Sequence, residues 1–380
     1  MDAIFWFFFS VLVFSFVGYG VLLVLIGFLT KNESKKSYAN GYDVSFLVCA
    51  HNESAVIKEK IENINLQTND KHKVEIIIVS DGSTDNTAEL ARSVADNVTV
   101  LEAKDHIGKL EALNWGLAEC KGEIIVFSDA NSLFPEATLN ELVSHFNDES
   151  VGGVCGQIVV SSEKQGWIGK AESIYWRYDQ ALKIAETKVG GAVSAQGSVY
   201  AIRRELTSPV LEGCADDFVL SVGVVTKGKR LVFEPNAMTY EHVTNKVYKE
   251  FDRRVRSTEM GWRGLMLFKE LLNPFKYGWY SLQLFSHKLL RRLNPVLLIG
   301  LLLSNALLLD EHWFYQAFLA CQVVFYAIAL LTMLFPFLRK VPGFNIPTFF
   351  VMGHAAMAMG IINVCRGKKV SKWKPVRDDA

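Results

Sequence analysis

Net charge is absent from this sequence: 40 Lys and Arg residues balance 40 Asp and Glu residues over 380 positions. The balance gives no indication of a nucleic-acid or acidic partner, so we expect the chain to bind no nucleic acid. The six cysteines form no C-x-x-C pair, and the sequence has no internal repeat and no low-complexity tract. Buried, reduced thiols are therefore expected, which suits a cytosolic domain.

Hydrophobic residues make up 50% of the chain and are concentrated at its two ends. Residues 3–30 carry no charge and exceed the roughly 20 residues that a membrane helix needs. A cleaved signal peptide has a basic start and a shorter apolar part, so we predict an uncleaved transmembrane anchor over 1–30. Lys31, Lys35 and Lys36 follow it. Because positive residues favour the cytoplasmic side, we expect a cytoplasmic domain on a bacterial inner-membrane protein.

The C-terminal part of the chain is also typical of a membrane protein. Residues 271–292 mix aromatic and basic side chains, as an interfacial helix does. Residues 293–366 form the predicted C-terminal transmembrane region, and 367–380 a basic cytoplasmic tail. Basic residues flank the apolar segment 341–365 on both sides, which opposes a simple crossing. Either this segment is re-entrant or the number of crossings differs by one.

Apolar runs alternate with helix-like stretches between residues 40 and 270. This alternation predicts an α/β domain with a parallel sheet, whose ligands bind beyond the carboxyl ends of the strands. Long helices are expected at 165–188 and 248–269, and a further helix from Lys109 to Leu117. We predict strands at 44–50, 74–79, 98–102, 123–128, 151–160, 197–202 and 230–234.

Polar clusters follow three of the predicted strands: His51-Asn52-Glu53, Ser80 to Asp85, and Ser128 to Asn131. A turn with a helix N-cap explains Gly82 and Ser83 in the second cluster but leaves its acids unexplained. Mg²⁺ and Mn²⁺ prefer oxygen ligands. Asp129 and Asn131 can therefore be metal ligands, beside a nucleotide diphosphate that a nearby lysine neutralises.

Asp216 and Asp217 are adjacent acids at a predicted helix start. They stabilise the helix terminus, an effect of about 1 kcal/mol, or one of them accepts the proton of an attacking hydroxyl. The guanidinium groups of Arg253 and Arg256 suit phosphate geometry, and a basic helix face against anionic lipid is the alternative. Weaker candidates for a metal-ligand or functional role are His51, His242 and His354.

Six segments, in this order, resemble those of family 2 inverting glycosyltransferases: VCAHNES, VSDGSTDNT, GKLEALNWGL, SDANS, SAQGSVYAIRREL and ADDF. The resemblance is to the membrane-embedded branch, which includes cellulose, hyaluronan and poly-N-acetylglucosamine synthases. It implies a GT-A (Rossmann-like) fold, a UDP-sugar donor, a divalent metal (Mg²⁺ or Mn²⁺) and inversion at the anomeric carbon. The implied roles are nucleotide-sugar binding by Glu53, Asp81, Lys109, Arg253 and Arg256, metal binding by Asp129 and Asn131, acceptor binding by Gln196 and Gly197, and catalysis by Asp216 and the base Asp217.

Two departures from the family pattern bear on the activity. Asn131 replaces the second acid of the metal motif and brings no charge. The Q-x-x-R-W pattern of processive synthases keeps its arginine as Arg256, but Ser257 replaces the Trp. The leading hypothesis is therefore one sugar addition to a lipid-linked or glycan acceptor, in cell-surface polysaccharide or glycolipid synthesis. A processive polysaccharide synthase is the alternative enzyme, and a non-catalytic nucleotide-sugar binding protein the alternative class.

Overall fold

The computed structural model describes residues 1–30, 32, 34–160, 167–241, 247–341 and 343–368. The chain forms two compact units. The first comprises Met1–Leu29, Ser162–Tyr178 and Thr244–Lys369, and the second comprises Thr30–Ser161 and Asp179–Val243. Parts of the predicted catalytic domain, 162–178 and 244–270, thus group with the helices of the first unit. Lys31, His242 and nearly all of the predicted basic tail lie outside the described residues.

The second unit is built on one seven-stranded sheet with the strands β1 (Asp43–Ala50), β2 (Lys73–Asp81), β3 (Val98–Ala103), β4 (Ile124–Phe127), β5 (Val151–Val160), β6 (Tyr200–Arg203) and β7 (Arg230–Glu241). Their order is β3-β2-β1-β4-β6-β5-β7. The first four strands along the chain are mutually parallel, so their carboxyl ends meet at one edge of the sheet. Strand β6 runs antiparallel to both of its neighbours. The predicted α/β class is confirmed, and the predicted parallel arrangement holds for β1 to β4, whereas antiparallel β6 makes the whole sheet mixed.

The helices, in chain order, are α1 (Asp2–Val13), α2 (Tyr19–Leu29), α3 (Ile57–Asn65), α4 (Thr87–Arg92), α5 (Lys109–Glu119), α6 (Thr138–Val143), α7 (Trp167–Val189), α8 (Asp216–Thr226), α9 (Val247–Leu267), α10 (Pro274–Tyr277), α11 (Trp279–Leu284), α12 (Arg291–Ala306), α13 (Trp313–Leu334) and α14 (Asn345–Cys365). Short 3₁₀ turns cover Ser144–Asn147, Arg204–Leu206, Lys269–Leu272 and Pro336–Lys340. Two π-helical segments, Phe14–Gly18 and Phe285–Leu290, join α1 to α2 and α11 to α12 in continuous helices.

Neighbouring residues of a strand point to opposite sides of the sheet, and in β1 the residues on both sides are buried. Phe46 packs in a core with Ile57 and Ile61 of α3. Leu47 points to the other face, where its side chain leaves room only for the glycine at position 116 of α5. Near-continuous apolar strands are typical of such a two-sided core. Three cysteines of this unit are buried and unbridged, as predicted: Cys120, Cys155 and Cys214.

Strands β6 and β7 differ from their predicted bounds by three residues or more at one end. Strand β6 begins only at Tyr200, because Gln196 to Val199 form a turn in which the Val199 N–H donates to the Gln196 carbonyl over 3.4 Å. Strand β7 extends to Glu241, because after a bulge its second half pairs with the end of β5. A bulge interrupts the alternation on which the sequence prediction depended.

Within its described residues, the first unit contains four helices that are long and apolar enough to cross a membrane: Asp2–Leu29, Trp279–Ala306, Trp313–Leu334 and Asn345–Cys365. The second of these runs without a break across the predicted boundary at 292/293. The last begins at Asn345 and is continuous, because Pro347 falls in its first turn, where a missing N–H costs nothing. Whether this helix crosses or re-enters the membrane stays a prediction.

Candidate active site

The polar loops that follow β1 and β2 are hydrogen-bonded to each other. Asn52, which has a φ of 56°, accepts a bond from the Thr84 N–H over 2.8 Å. Its own N–H donates to Ser83 Oγ over 3.1 Å. Asp85 accepts a bond from the Ser54 N–H over 3.1 Å. The turn-forming interpretation therefore accounts for most of this polar cluster, including one of its acids.

Asp81 fixes the loop that leads into α5. Its buried carboxylate accepts bonds from the backbone N–H groups of Ile107, over 2.7 Å, and Gly108, over 3.0 Å. His106 Nδ1 lies 3.0 Å from the same carboxylate. The loop approaches so closely that a side chain at Gly82 would overlap the His106 backbone. The predicted contact of Asp81 with the nucleotide remains a prediction.

Glu53 and His51 occupy the loop after β1. Glu53 is buried, and its backbone N–H donates to Thr87 Oγ1 over 2.8 Å. His51 donates to the Asp81 carbonyl over 2.6 Å, and its ring lies 4.3 Å from the His106 ring. These contacts give His51 a structural role. The nucleotide-sugar binding role of Glu53 remains a prediction.

Lys109 is the centre of the candidate site. It begins α5, and its Nζ lies 3.1 Å from Asp129 Oδ1 and 3.3 Å from Asp216 Oδ2. Asp129 follows β4, and Asp216 begins α8. Ser198 Oγ donates to the second oxygen of Asp129 over 3.4 Å. Three predicted site residues from three separate segments thus meet beyond the carboxyl edge of the sheet.

The charges of this group stabilise each other. Burial alone would lower the pKa of Lys109, but the carboxylates of Asp129 and Asp216 outweigh it and raise this pKa well above its ordinary value. Burial opposes ionisation of Asp129, yet the charges of Lys109 and Lys60 lower its pKa below the ordinary value. Lys109 and Asp129 are therefore both charged at neutral pH.

Asp217 lies in the first turn of α8, across Gly197 from Asp129. The N-cap of this helix is Ala215, so neither acid occupies the capping position. Asp217 Oδ1 accepts a bond from the Phe218 N–H over 2.7 Å. A methyl group added at Gly197 would lie 4.0 Å from Asp217 Oδ2 and 4.0 Å from Asp129 Oδ2. Glycine at this position therefore keeps open the space between the two carboxylates.

Gln196, the other predicted acceptor residue, contacts α7. Its Nε2 donates to Asp179 Oδ2 over 3.4 Å, and the same oxygen lies 3.2 Å from Lys183 Nζ. Asp179 and Lys183 are buried. The acceptor roles of Gln196 and Gly197 remain predictions, and of the two Gly197 lies beside Asp129 and Asp217.

Tyr200 belongs to this region but was missed by sequence reasoning. Its side chain is 1% exposed, and its ring stacks on Phe127 at 4.5 Å and 8°. Within the part of the chain that the structure describes, its hydroxyl has no hydrogen-bond partner. Burial, together with Asp216 and Asp217, raises its pKa well above the ordinary value. The sequence placed Tyr200 in a strand, and a strand pattern does not report which polar groups lie opposite.

Arg253 and Arg256 belong to the first unit, on α9. Arg253 forms a two-bond ion pair with buried Glu250, at 2.7 and 2.9 Å. Burial and the neighbouring Arg253 lower the pKa of Arg256 below its ordinary value. An anion beside Arg256 would relieve both effects. The predicted binding of the donor diphosphate by these arginines remains a prediction.

The site fits a divalent cation that takes most of its ligands from a substrate. Among the described residues, no group of three or more His, Cys, Asp or Glu side chains can hold a metal ion. The Asp129 side chain is 36% exposed, and Asn131 is exposed. Mg²⁺ commonly takes one or two protein carboxylates and completes its shell with phosphates and water. Asp129 and Asn131 suit that arrangement, although they do not form a closed metal cage.

Comparison with known proteins gives a family and a fold. Residues 45–209 match glycosyl transferase family 2. The poly-beta-1,6-N-acetyl-D-glucosamine synthase of Staphylococcus aureus (strain COL) is 26% identical over 226 residues, which cover 57% of this chain and 54% of that protein. The match thus spans about half the length of this relative. A solved mannosyltransferase of Pyrobaculum calidifontis, in complex with GDP-mannose and Mn²⁺, has a TM-score of 0.69 at 22% identity, covering 96% of this chain and 100% of that one. Residues 45–209 therefore match a glycosyl transferase family 2 domain, and the fold is of the GT-A type.

Proposed function

We propose that the chain transfers a sugar from a UDP-sugar to a lipid-linked or glycan acceptor in cell-surface polysaccharide or glycolipid synthesis. One observation carries the proposal: the Lys109 ammonium lies between Asp129 and Asp216 beyond the carboxyl edge of the sheet, and Asp217 faces the same opening at Gly197. A cation for a diphosphate, oxygen ligands for a metal and a carboxylate base are thereby collected in one place. Kinship with a polysaccharide synthase supports the same reaction class.

The reaction is an inverting displacement. The Asp217 carboxylate accepts the proton of an acceptor hydroxyl, and the hydroxyl oxygen forms a bond to the anomeric carbon. The bond from that carbon to the diphosphate oxygen breaks, and its electron pair leaves with the nucleoside diphosphate. The Lys109 ammonium neutralises the departing phosphate charge. A divalent cation, held by Asp129 and Asn131, would supply further charge neutralisation at the diphosphate when bound.

We place this reaction at the cytoplasmic face of a membrane, with membrane lipids around the helices of the first unit. The four apolar helices support an integral membrane protein. Lys35 and Lys36, which follow the first helix, support a cytoplasmic catalytic domain by the positive-inside tendency. A protease-protection assay on sealed inside-out vesicles, with an epitope in the β2–β3 region, tests the orientation. Protection of that epitope would contradict it.

Release of nucleoside diphosphate by detergent-purified protein tests the activity. The donors are UDP-glucose, UDP-N-acetylglucosamine, UDP-galactose, UDP-glucuronate and GDP-mannose, each with Mn²⁺ and a lipid extract as the acceptor source. We expect release from one UDP-sugar and labelled sugar in the lipid fraction. Asp217→Asn should abolish it, whereas Asp70→Asn, an exposed acid elsewhere on the unit, should not. Release from GDP-mannose alone would mean that the donor is a GDP-sugar rather than a UDP-sugar. Release from none of the five donors would reject the proposed function.

A processive synthase is the second candidate, because the relative from S. aureus is named as a polymer synthase. The products distinguish the two reactions. A ladder of chain lengths from one purified protein and one UDP-sugar indicates the synthase, whereas a single labelled product indicates one addition. Ser257 in place of the motif's tryptophan favours the single addition.

A further inference from the structure

A buried lysine lies behind the loop that carries the candidate metal ligands. Lys60 is on α3, three residues after Ile57 and four before Ile64, and all three side chains are 0% exposed. Residues at this spacing share one face of a helix. The face packs into the apolar core, so an apolar residue would be the less costly choice at position 60. Packing therefore does not explain why position 60 is a lysine.

The Lys60 ammonium binds both ends of one short loop. Its Nζ donates to Ser128 Oγ over 2.7 Å and to the Ser132 carbonyl over 2.5 Å. It also lies 4.0 Å from the centre of the Phe134 ring, on the same segment. Residues 128–132 contain Asp129 and Asn131. The lysine thus fixes the start and the end of the loop between which both candidate ligands lie.

The same ammonium is connected to the acceptor segment. Ser128 Oγ, which accepts from Lys60, donates in turn to the Ser198 carbonyl over 3.1 Å. The Ser198 hydroxyl donates to Asp129 Oδ2 over 3.4 Å. Lys60, Ser128, Ser198 and Asp129 therefore form one chain of hydrogen bonds. This chain sets the position of Asp129 relative to the neighbouring Gly197.

We propose that Lys60 is a positioning residue, which holds the 128–132 loop so that Asp129 and Asn131 face a divalent cation bound with the donor diphosphate. The inference rests on the proposed function. Lys109 contacts Asp129 from the open side of the site and can transfer its bonds to a phosphate. Lys60 is enclosed by protein and keeps its contacts throughout. Outer partners of metal ligands typically change metal affinity about 10- to 100-fold when they are removed.

Direct Mn²⁺ binding to the full chain tests the proposal. Free Mn²⁺ is measured by electron paramagnetic resonance at fixed UDP, and thermal unfolding is followed on the same samples. Lys60→Met keeps the length and removes the charge. We expect its Mn²⁺ dissociation constant to rise at least about tenfold, in a protein that still unfolds cooperatively. Lys58→Met is the matched control on the same helix, because Lys58 is 64% exposed, and it should bind Mn²⁺ as the wild type does.

Unchanged Mn²⁺ binding in a folded Lys60→Met protein would overturn the proposal. If this variant does not fold, Ser128→Ala replaces it, because it removes the link from Lys60 to Ser198 and leaves the Ser132 contact. Wild-type Mn²⁺ affinity in Ser128→Ala would then overturn the proposal equally. The binding assay needs no sugar transfer. If the wild type transfers no sugar but Lys60→Met still loses Mn²⁺ binding, only the proposed function is rejected.

Discussion

Gly197→Ala should leave the fold intact and slow sugar transfer by about 100-fold. Among the described residues, the added methyl group would meet two atoms, Asp129 Oδ2 and Asp217 Oδ2, each at 4.0 Å. This is an ordinary van der Waals separation, and the backbone of Gly197 is outside the left-handed region. The change in unfolding free energy should therefore stay within about 1 kcal/mol.

The same methyl group fills the space that the reaction needs. An acceptor oxygen must lie about 2.8 Å from the base to give up its proton. On the Gly197 side of Asp217, that oxygen would overlap the methyl group and would have to move by about 1 Å. Displacements of this size cost on the order of 100-fold in rate. We expect kcat of Gly197→Ala to fall by about that factor, measured as nucleoside diphosphate release at saturating donor.

Two other glycines provide the controls for this experiment. Gly223 lies in α8, and no atom of the residues that the structure describes lies within 4 Å of an added methyl group. Gly223→Ala should keep full activity and gain about 0.5–1 kcal/mol in stability. Gly156→Ala would overlap the Ala237 carbonyl oxygen and should unfold the protein. Wild-type turnover of Gly197→Ala, or unfolding like that of Gly156→Ala, would refute the reasoning.

Three further predictions concern the base, the buried phenol and an ion pair outside the site. Asp217→Asn should lower kcat at least about 100-fold, with little change in the KM for the donor. A rise in the donor KM as large as the fall in kcat would argue against the role of Asp217 as the base. Tyr200→Phe removes a hydroxyl without a partner among the described residues, so the free energy of unfolding should rise by about 1 kcal/mol, and the unfolding temperature with it. A lower unfolding temperature would mean that the hydroxyl forms a hydrogen bond. Burial disfavours ionised Glu234, yet His145 and Lys36 lower its pKa to about 2 from an ordinary 4.5. The stabilisation is therefore present above about pH 4.5 and lost as the pH falls towards 2. Glu234→Gln should cost about 2 kcal/mol at pH 7, after allowance for the screened Lys36, and progressively less as the pH falls towards 2; a cost independent of pH would contradict this.

The sheet could be predicted from the sequence because buried parallel strands leave a strong signal. Runs such as 44–50 and 74–79 are apolar throughout, and the polar residues that follow them must lie at one edge. The same logic brought Asp129 into the site. Strand β7 was predicted too short because the bulge near its middle changes which residues face the core. A periodic pattern contains no information about such an insertion.

The site residues that sequence reasoning missed are those defined by burial. Lys60 and Tyr200 are a charged and a polar residue at positions where the pattern gives only a helix and a strand. Their importance depends on what lies opposite them across the fold, the ends of the 128–132 loop for Lys60 and the acids of α8 for Tyr200. A single sequence does not contain those pairings. Asp81, in contrast, was prominent in the sequence, yet the contacts of its carboxylate in the structure are with the loop before α5.

The charges around Asp129 indicate how the site can accept a diphosphate without losing its shape. Lys109, 21% exposed, shares its ammonium between Asp129 and Asp216. An incoming phosphate competes for that ammonium, which leaves two carboxylates without their common counter-charge. The negative carboxylates of Asp129 and Asp216 would then repel each other and move the loop that carries Asp129. Lys60 opposes that movement, because its ammonium is enclosed by protein and bonded to both loop ends. On the proposed function, Lys109 can exchange Asp129 for a substrate phosphate because Lys60 holds the loop.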